Sequence, residues 1–222
     1  QCKKSRTKKD DPQLQEYIKM ISCSNEKINS LSIVIPVFNE EKIIEKSLRL
    51  LSATLEEICS DYEIIIINDG STDKTPVILS KLEDSIRRLK ILTNPVNLGL
   101  GGALRHGFKH ATKELTFYTD IDMPFKYTEI MRAVKILEQK NADMIIGFRR
   151  NRAKESQLRK ACSLTYNGII RCLYGVHLRD INCAFKLIKT THLKRITLHA
   201  NGSFIDAELI IRLNDLGIKI QE

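Results

Sequence analysis

Glu63-Ile64-Ile65-Ile66-Ile67-Asn68-Asp69 decides the fold of this chain: four consecutive isoleucines run into an asparagine and an acid. A β-strand points successive side chains to opposite faces, so an unbroken apolar run means burial on both. That is the environment of a central strand in a parallel sheet with helices on each side. Four more short runs, Leu31–Phe38, Leu89–Thr93, Leu115–Thr119 and Asp143–Phe148, also read as strands. Between them the apolar spacing turns helical, with Ile43, Ile44, Ser47, Leu48 and Leu51 on one face and Ile130, Met131, Val134 and Leu137 on another. This alternation predicts an α/β fold with a mainly parallel central sheet flanked by helices. Asn39 suits the cap of the first helix and Pro76 the first turn of the helix after Asp73. Longer helices are expected over Ser156–Leu173 and Ile205–Leu216, the second closed by Gly217.

The 222 residues, 42% hydrophobic, suffice for one large domain with a sizeable core. Lys3, Lys4, Arg6, Lys8 and Lys9 crowd the start, so residues 1–30 read as a basic arm, either a solvated, partly disordered segment or a membrane-surface one, with Gln13–Ile21 as its candidate short helix. The domain proper spans 31–222; the chain opens on Gln1 and stops in a strand-like Ile220-Gln221-Glu222, so its C-terminal part is expected to be cut short. Thirty-six basic against 27 acidic residues give +9, which favours anionic headgroups or phosphorylated ligands. A nucleic-acid reading rests on that charge alone, without interleaved aromatics, and is set aside. Cys2, Cys23, Cys59, Cys162, Cys172 and Cys183 form no C-x-x-C pair, sit mostly in apolar patterns and read as reduced core residues of a cytosolic domain, neither a disulfide frame nor a zinc site. No apolar stretch approaches a membrane span in length.

Charge gathers where strands end. Asp69, followed by Gly70-Ser71-Thr72-Asp73, is placed to accept hydrogen bonds from a ribose or base edge, or else to belong to a capped helix-entry turn. Asn97-Leu98-Gly99-Leu100-Gly101-Gly102-Ala103 offers glycine N–H groups at a helix start, fit for an anion or for a tight turn. Asp120 and Asp122, one residue apart after Leu115–Thr119, can present two hard oxygen donors on one side, as Mg2+ or Mn2+ prefers. Gly147-Phe148-Arg149-Arg150, with Arg152, Lys154, Arg159 and Lys160 after it, brings guanidinium groups able to grip phosphate or simply to be solvated. Asp180 precedes the apolar run Cys183–Ile188 and is either a general base or a turn cap. None of the five histidines, His106 and His110 included, has a metal-ligand spacing, and they read as surface or packing residues.

Taken in order, these motifs resemble the inverting family-two glycosyltransferases, and within them the dolichyl- and polyprenyl-phosphate hexose synthase branch. The matching segments are Val34 through Glu41, Asn68 through Asp73, Asn97 through Ala103, Thr119 through Asp122, Gly147 through Arg149, Arg179 through Lys186, and Ser203 through Glu208. The resemblance implies a Rossmann-like nucleotide-diphospho-sugar transferase fold and transfer of a hexose from a GDP-mannose or UDP-glucose type donor to a lipid phosphate. It implies that Pro36, Phe38, Glu40, Asp69, Gly101 and Asp120 bind the nucleotide sugar, and that Asp120 and Asp122 hold Mg2+ or Mn2+. Arg149 and Asp180 become the catalytic pair, and Arg159, Lys186, Asp206 and Glu208 the acceptor or phosphate side. Its alternatives are transfer to a glycan or glycolipid hydroxyl, with Asp180 as base, or a non-catalytic nucleotide-sugar-binding domain. The implied setting is the cytoplasmic face of a membrane, reached peripherally or through segments outside these residues. The chain departs from the family at Pro124, where a glutamine is common, at Ala184, often glycine, and at Lys186, often arginine.

Overall fold

A computed structural model describes residues 27–122, 125, 126, 128–149 and 157–222, with the backbone alone for 157–164. Most of the basic arm, Gln13–Ile21, Pro124, Arg150, Arg152 and Lys154 lie outside the described residues, as do the side chains of Arg159 and Lys160. Seven strands form one sheet: β1 (Ile28–Val37), β2 (Cys59–Asp69), β3 (Leu89–Asn94), β4 (Leu115–Thr119), β5 (Met144–Ile146), β6 (Phe185–Lys189) and β7 (Ile220–Gln221). The helices are α1 (Ile44–Ile58), α2 (Thr75–Glu83), α3 (Gly99–His110), α4 (Thr128–Gln139), α5 (Gln157–Tyr174), α6 (Thr190–Leu193) and α7 (Ile205–Asp215). All five expected strands form, and β1 already begins at Ile28, inside the span read as the arm.

The strand order is β3-β2-β1-β4-β6-β5-β7. Every pairing is parallel except those of β6, which runs antiparallel between β4 and β5. Alternation divides the core into two layers. Ile64 and Ile66 pack with α1 and α2, whereas Ile65 and Ile67 pack with Ala103 and Leu104 of α3 and with α7. The same period sets Pro36, Asp69 and Lys186 on the α3–α7 face.

The chain grows from β1 outward to β3 and then returns through α3 to β4 on the other side of β1, so the sheet reverses direction between β1 and β4. The β1–β4 ladder ends at Val34↔Tyr118, while β1–β2 continues to Val37↔Asn68. Pro36, which has no N–H to offer, lies beyond the β4 ladder, where its loss is tolerable. The strands therefore part at their C-terminal ends and open a crevice, the usual ligand position in such sheets.

Asn39 does not cap α1. That helix starts five residues later with no side-chain cap, and Asn39 instead takes a left-handed φ of 57°. Its Oδ1 accepts the Thr72 N–H at 2.8 Å and the Asp73 N–H at 3.3 Å, tying the loop after β1 to the loop after β2. Ser71 Oγ, Asp73 Oδ2 and Thr75 Oγ1 answer by accepting the N–H groups of Asn39, Glu41 and Glu40. Asparagine satisfies both demands, a left-handed backbone and a short acceptor, which explains why capping propensity misplaces it.

Asn39→Gly removes the acceptor but keeps the backbone easy, and should cost about 1–2 kcal/mol in urea unfolding. Asn39→Ala adds the left-handed penalty, roughly a further 1 kcal/mol. Equal midpoints for the two variants would contradict this division.

Candidate active site

The crevice collects the acids. Asp120 leaves β4, Asp122 follows one turn residue later, and buried Ile121 between them fixes the pair on the sheet edge. Phe125 anchors the far side of this turn by edge-to-face contacts with Phe117 and Phe185, centroids 5.7 and 4.9 Å away. Across the gap, burial first and then the charges of Asp122 and Asp73 raise the pKa of Glu40. Asp120 still reaches solvent, yet its carboxyl is pushed up from 3.8 to about 6. Surrounding protein mass is the larger cause, followed by the Asp122 and Asp206 carboxylates, with Lys186 and Arg149 opposing. The site thus holds more negative charge than it can comfortably ionise. Such a donor set fits a hard divalent cation. No cluster of three or more His, Cys, Asp or Glu able to hold one occurs among the described residues, so its shell would be completed by ligand oxygens and water.

Arg149, just after β5, faces this acid group from the other wall. Its Nε and Nη2 donate to the two Asp180 oxygens at 2.8 and 3.0 Å, and the Arg149 N–H adds a 3.4 Å contact. Asp180 is 3% exposed in its side chain and Arg149 41%, so a buried carboxylate orients a guanidinium that still reaches solvent. The neighbouring Arg179 stacks on Phe148 at 3.4 Å and pairs with Glu222, holding the Asp180 loop from outside.

Beneath both walls lies Lys186. Its place in β6, opposite Tyr118 of β4 and Ile146 of β5, puts a cation under the ends of the two strands that lead to Asp120 and Arg149. The side chain is 0% exposed, its Nζ 2.5 Å from Asp206 Oδ1, 2.7 Å from Cys183 O and 5.3 Å from the Tyr118 ring. Burial raises the Asp206 carboxyl against the pull of Lys186.

The structure gives several of the expected site residues supporting positions. Lys186 and Asp206, expected on the acceptor or phosphate side, form a buried pair beneath the site. Glu208 accepts the His199 and Ala200 N–H groups, so it holds the loop before α7. Gly101 lies inside α3, where its N–H donates to Asn201 O at 2.7 Å and a Cβ would fall 1.9 Å from Ala200 O. Its role is close helix-to-loop contact; its N–H is not offered to a phosphate. Asp69 and Pro36 share the α3–α7 face of the sheet by strand alternation, and half-exposed Phe38 directly follows β1. Arg159 lies on α5 with its side chain outside the described residues. What sequence reading passed over is Asn94, buried at the end of β3, and His106, both tied to Asp69 as set out below.

Comparison with known proteins agrees with this fold. The fold is shared with sugar-nucleotide transferases. The glucosyl-3-phosphoglycerate synthase of Mycobacterium tuberculosis, solved with Mn2+, UDP-glucose and phosphoglyceric acid, superposes with a TM-score of 0.66 at 18% identity, over 93% of this chain and 72% of that one. Mannosyltransferase PcManGT of Pyrobaculum calidifontis, solved with GDP-Man and Mn2+, gives 0.60 at 16% identity, over 94% and 61%. The Glycosyl transferase family 2 model matches residues 32–197, so the chain belongs to that family and carries a glycosyltransferase domain. Dolichyl-phosphate beta-glucosyltransferase ALG5A of Trichomonas vaginalis is 32% identical over 96% of this chain and 73% of its own length. Dodecaprenyl-phosphate galacturonate synthase of Rhizobium johnstonii is 30% identical over 83% of this chain, which spans only 56% of that protein.

Substitutions at two positions, Lys186 and Asp120, with a compensating change at Asp206, test the site's electrostatics. Lys186→Met leaves Asp206 buried without its cation and should cost about 3–5 kcal/mol in denaturant unfolding, with Lys186→Met/Asp206→Leu recovering most of the loss. For Asp120 the sign runs the other way. A carboxyl whose pKa is raised in the folded state opposes folding once both states are ionised, above pH 6, and the penalty fades as pH falls towards 4. In chelator-treated buffer, Asp120→Asn should therefore melt higher than wild type at pH 7.5, by a margin that shrinks at pH 5; a lower melting temperature at pH 7.5 would sink the idea.

Proposed function

We propose that this domain moves a hexose from a nucleoside diphosphate sugar to a polyprenyl or dolichyl phosphate at a membrane surface, with inversion at the sugar carbon. The observation that carries the acceptor class is the Arg149–Asp180 fork. Both Asp180 oxygens accept from Arg149, so this carboxylate is engaged as an orienter and does not stand ready as a base. A phosphate oxygen is already anionic near neutral pH and needs no base; a sugar hydroxyl does. A lone pair of the lipid phosphate oxygen would form the new bond to the anomeric carbon as the bond from that carbon to the diphosphate oxygen breaks, and the nucleoside diphosphate would leave with that electron pair. The exposed part of Arg149 is suited to hold phosphate oxygens in place.

On the donor side, Asp69 reads the nucleoside beside Pro36 and Phe38, and Asp120 and Asp122 are the proposed Mg2+ or Mn2+ ligands. A bound cation would neutralise the diphosphate as it leaves. A scaffold that binds without turnover has no use for an acid group whose charges oppose one another, and the Asp120 environment argues against it. The net charge of +9 supports attraction to anionic headgroups, hence a peripheral position or one anchored by segments outside these residues, on the cytoplasmic face. No helix among the described residues is long and apolar enough to cross a membrane.

Incubation with radiolabelled UDP-glucose or GDP-mannose, Mn2+ and polyprenyl phosphate should move label into the lipid phase. Chelation, Asp122→Ala or Arg149→Ala should lower the rate by at least tenfold, in line with the loss of one preorganised electrostatic group. Label appearing only in a glycan or glycolipid made without lipid phosphate would replace the acceptor class.

A further inference from the structure

Asp69 does not stand alone at the end of β2. It is 4% exposed, and two donors converge on its Oδ1: Asn94 Nδ2 at 2.7 Å and the Leu98 N–H at 2.9 Å. Leu98 is the residue before the first turn of α3, so its N–H is one that a helix start leaves without an internal partner. Asn94 is the register partner of Asp69 across β2–β3 and is itself 4% exposed. A carboxylate only accepts, so the Asn94 amide must turn its Nδ2 toward Asp69 and its Oδ1 away. That Oδ1 lies 2.7 Å from His106 Nδ1. An amide oxygen only accepts, which requires the proton of His106 to sit on Nδ1. Burial, followed by the charges of His110 and Lys109, holds the imidazole below its ordinary pKa, in keeping with a neutral ring. His110 closes the chain, its ring edge-on to His106 at 5.1 Å and its Nδ1 2.9 Å from His106 O.

From this geometry we infer that Asn94 and His106 are positioning residues for nucleoside recognition, a relay His106 Nδ1–H to Asn94 to Asp69 that fixes one carboxylate oxygen and leaves Oδ2 for an N–H or O–H donor of the ligand. The relay rests on the nucleotide-sugar reading above and specifies which side chains make Asp69 a rigid acceptor. Gly70 completes it. Its φ is +70°, and a Cβ would fall 2.6 Å from Asn97 N and Val96 C, so only glycine lets the 94–98 loop close over the end of β2. Because the relay bears on Asp69, the acid proposed to hold the nucleoside, and makes no hydrogen bond to Asp120 or Asp122, it should govern how tightly the nucleoside is held and not how fast the sugar leaves.

The test is calorimetric titration of UDP and of GDP, each with Mn2+, into the full chain, paired with transfer kinetics. For whichever diphosphate wild type binds, His106→Ala should weaken binding about fivefold to tenfold, the effect of one lost hydrogen bond passed to the ligand. Donor KM should rise by the same factor with kcat at saturating donor unchanged. His106→Asn, whose Nδ2 stands two bonds from Cβ as the imidazole Nδ1 does, should restore most of the affinity. In wild type, imidazole 15N shifts should report the Nδ1–H tautomer for His106. Wild-type affinity in a folded His106→Ala protein, or an Nε2–H tautomer, would overturn the relay. If wild type binds neither diphosphate, the donor reading itself fails and the relay with it.

Discussion

The parallel pairing of β1 with β2 is the constraint from which the site follows. Its register runs unbroken from Leu31↔Tyr62 to Val37↔Asn68, so the two strands finish together and their following loops emerge side by side. Those loops then bind one another through Asn39, Ser71, Asp73 and Thr75, which supply acceptors for backbone N–H groups that would otherwise be unpaired at the sheet edge. On the other flank β1 separates from β4 after Val34, and the opening lies beside this stiffened double loop. A rigid wall on one side and an open ladder on the other give a crevice that does not need the ligand to form it.

Charge in the crevice is distributed by depth. The acids that reach solvent, Asp120 and Asp122, crowd one another; the acid beneath them, Asp206, is matched by fully buried Lys186. A buried ion pair contributes little net stability, because desolvation offsets most of the attraction. Its use here is positional: Lys186 bridges Asp206 and Cys183 O under the strands that lead to Asp120 and Arg149. At two polar corners a group that can meet a ligand is held by another side chain: partly exposed Arg149 by buried Asp180, and Asp69, itself buried, by buried Asn94 with half-buried His106 behind it.

Much of this was legible in the sequence, for identifiable reasons. Period-two and period-3.6 patterns depend on local chemistry, so five strands, the Pro76 turn and the Gly217 cap, with its φ of +70°, fall where the residues say. The antiparallel insertion of β6 is different. The apolar run Cys183–Ile188 announces a strand but carries no mark of which neighbours it will take, because pairing order is a long-range property. The resemblance sets Lys186 on the acceptor or phosphate side, and a lysine inside an apolar run carries no mark of its own burial until its strand is placed between two others. His106 was set aside because its partner is not four residues away but twelve, on another element, and that partner's own target lies twenty-five residues further back.

The Asp180 carboxylate shows how such placement changes a chemical inference. From sequence it could be a base, and a base would favour a hydroxyl acceptor. Bonded at both oxygens by one guanidinium, it would have to surrender two charge-assisted hydrogen bonds to take a proton, and the buried Arg–carboxylate contact is stronger than neutral ones by roughly a factor of two. An acceptor that brings its own negative charge avoids that cost and gains a partner in Arg149. The geometry of one ion pair thus favours lipid phosphate over sugar hydroxyl, although both acceptors are compatible with the fold.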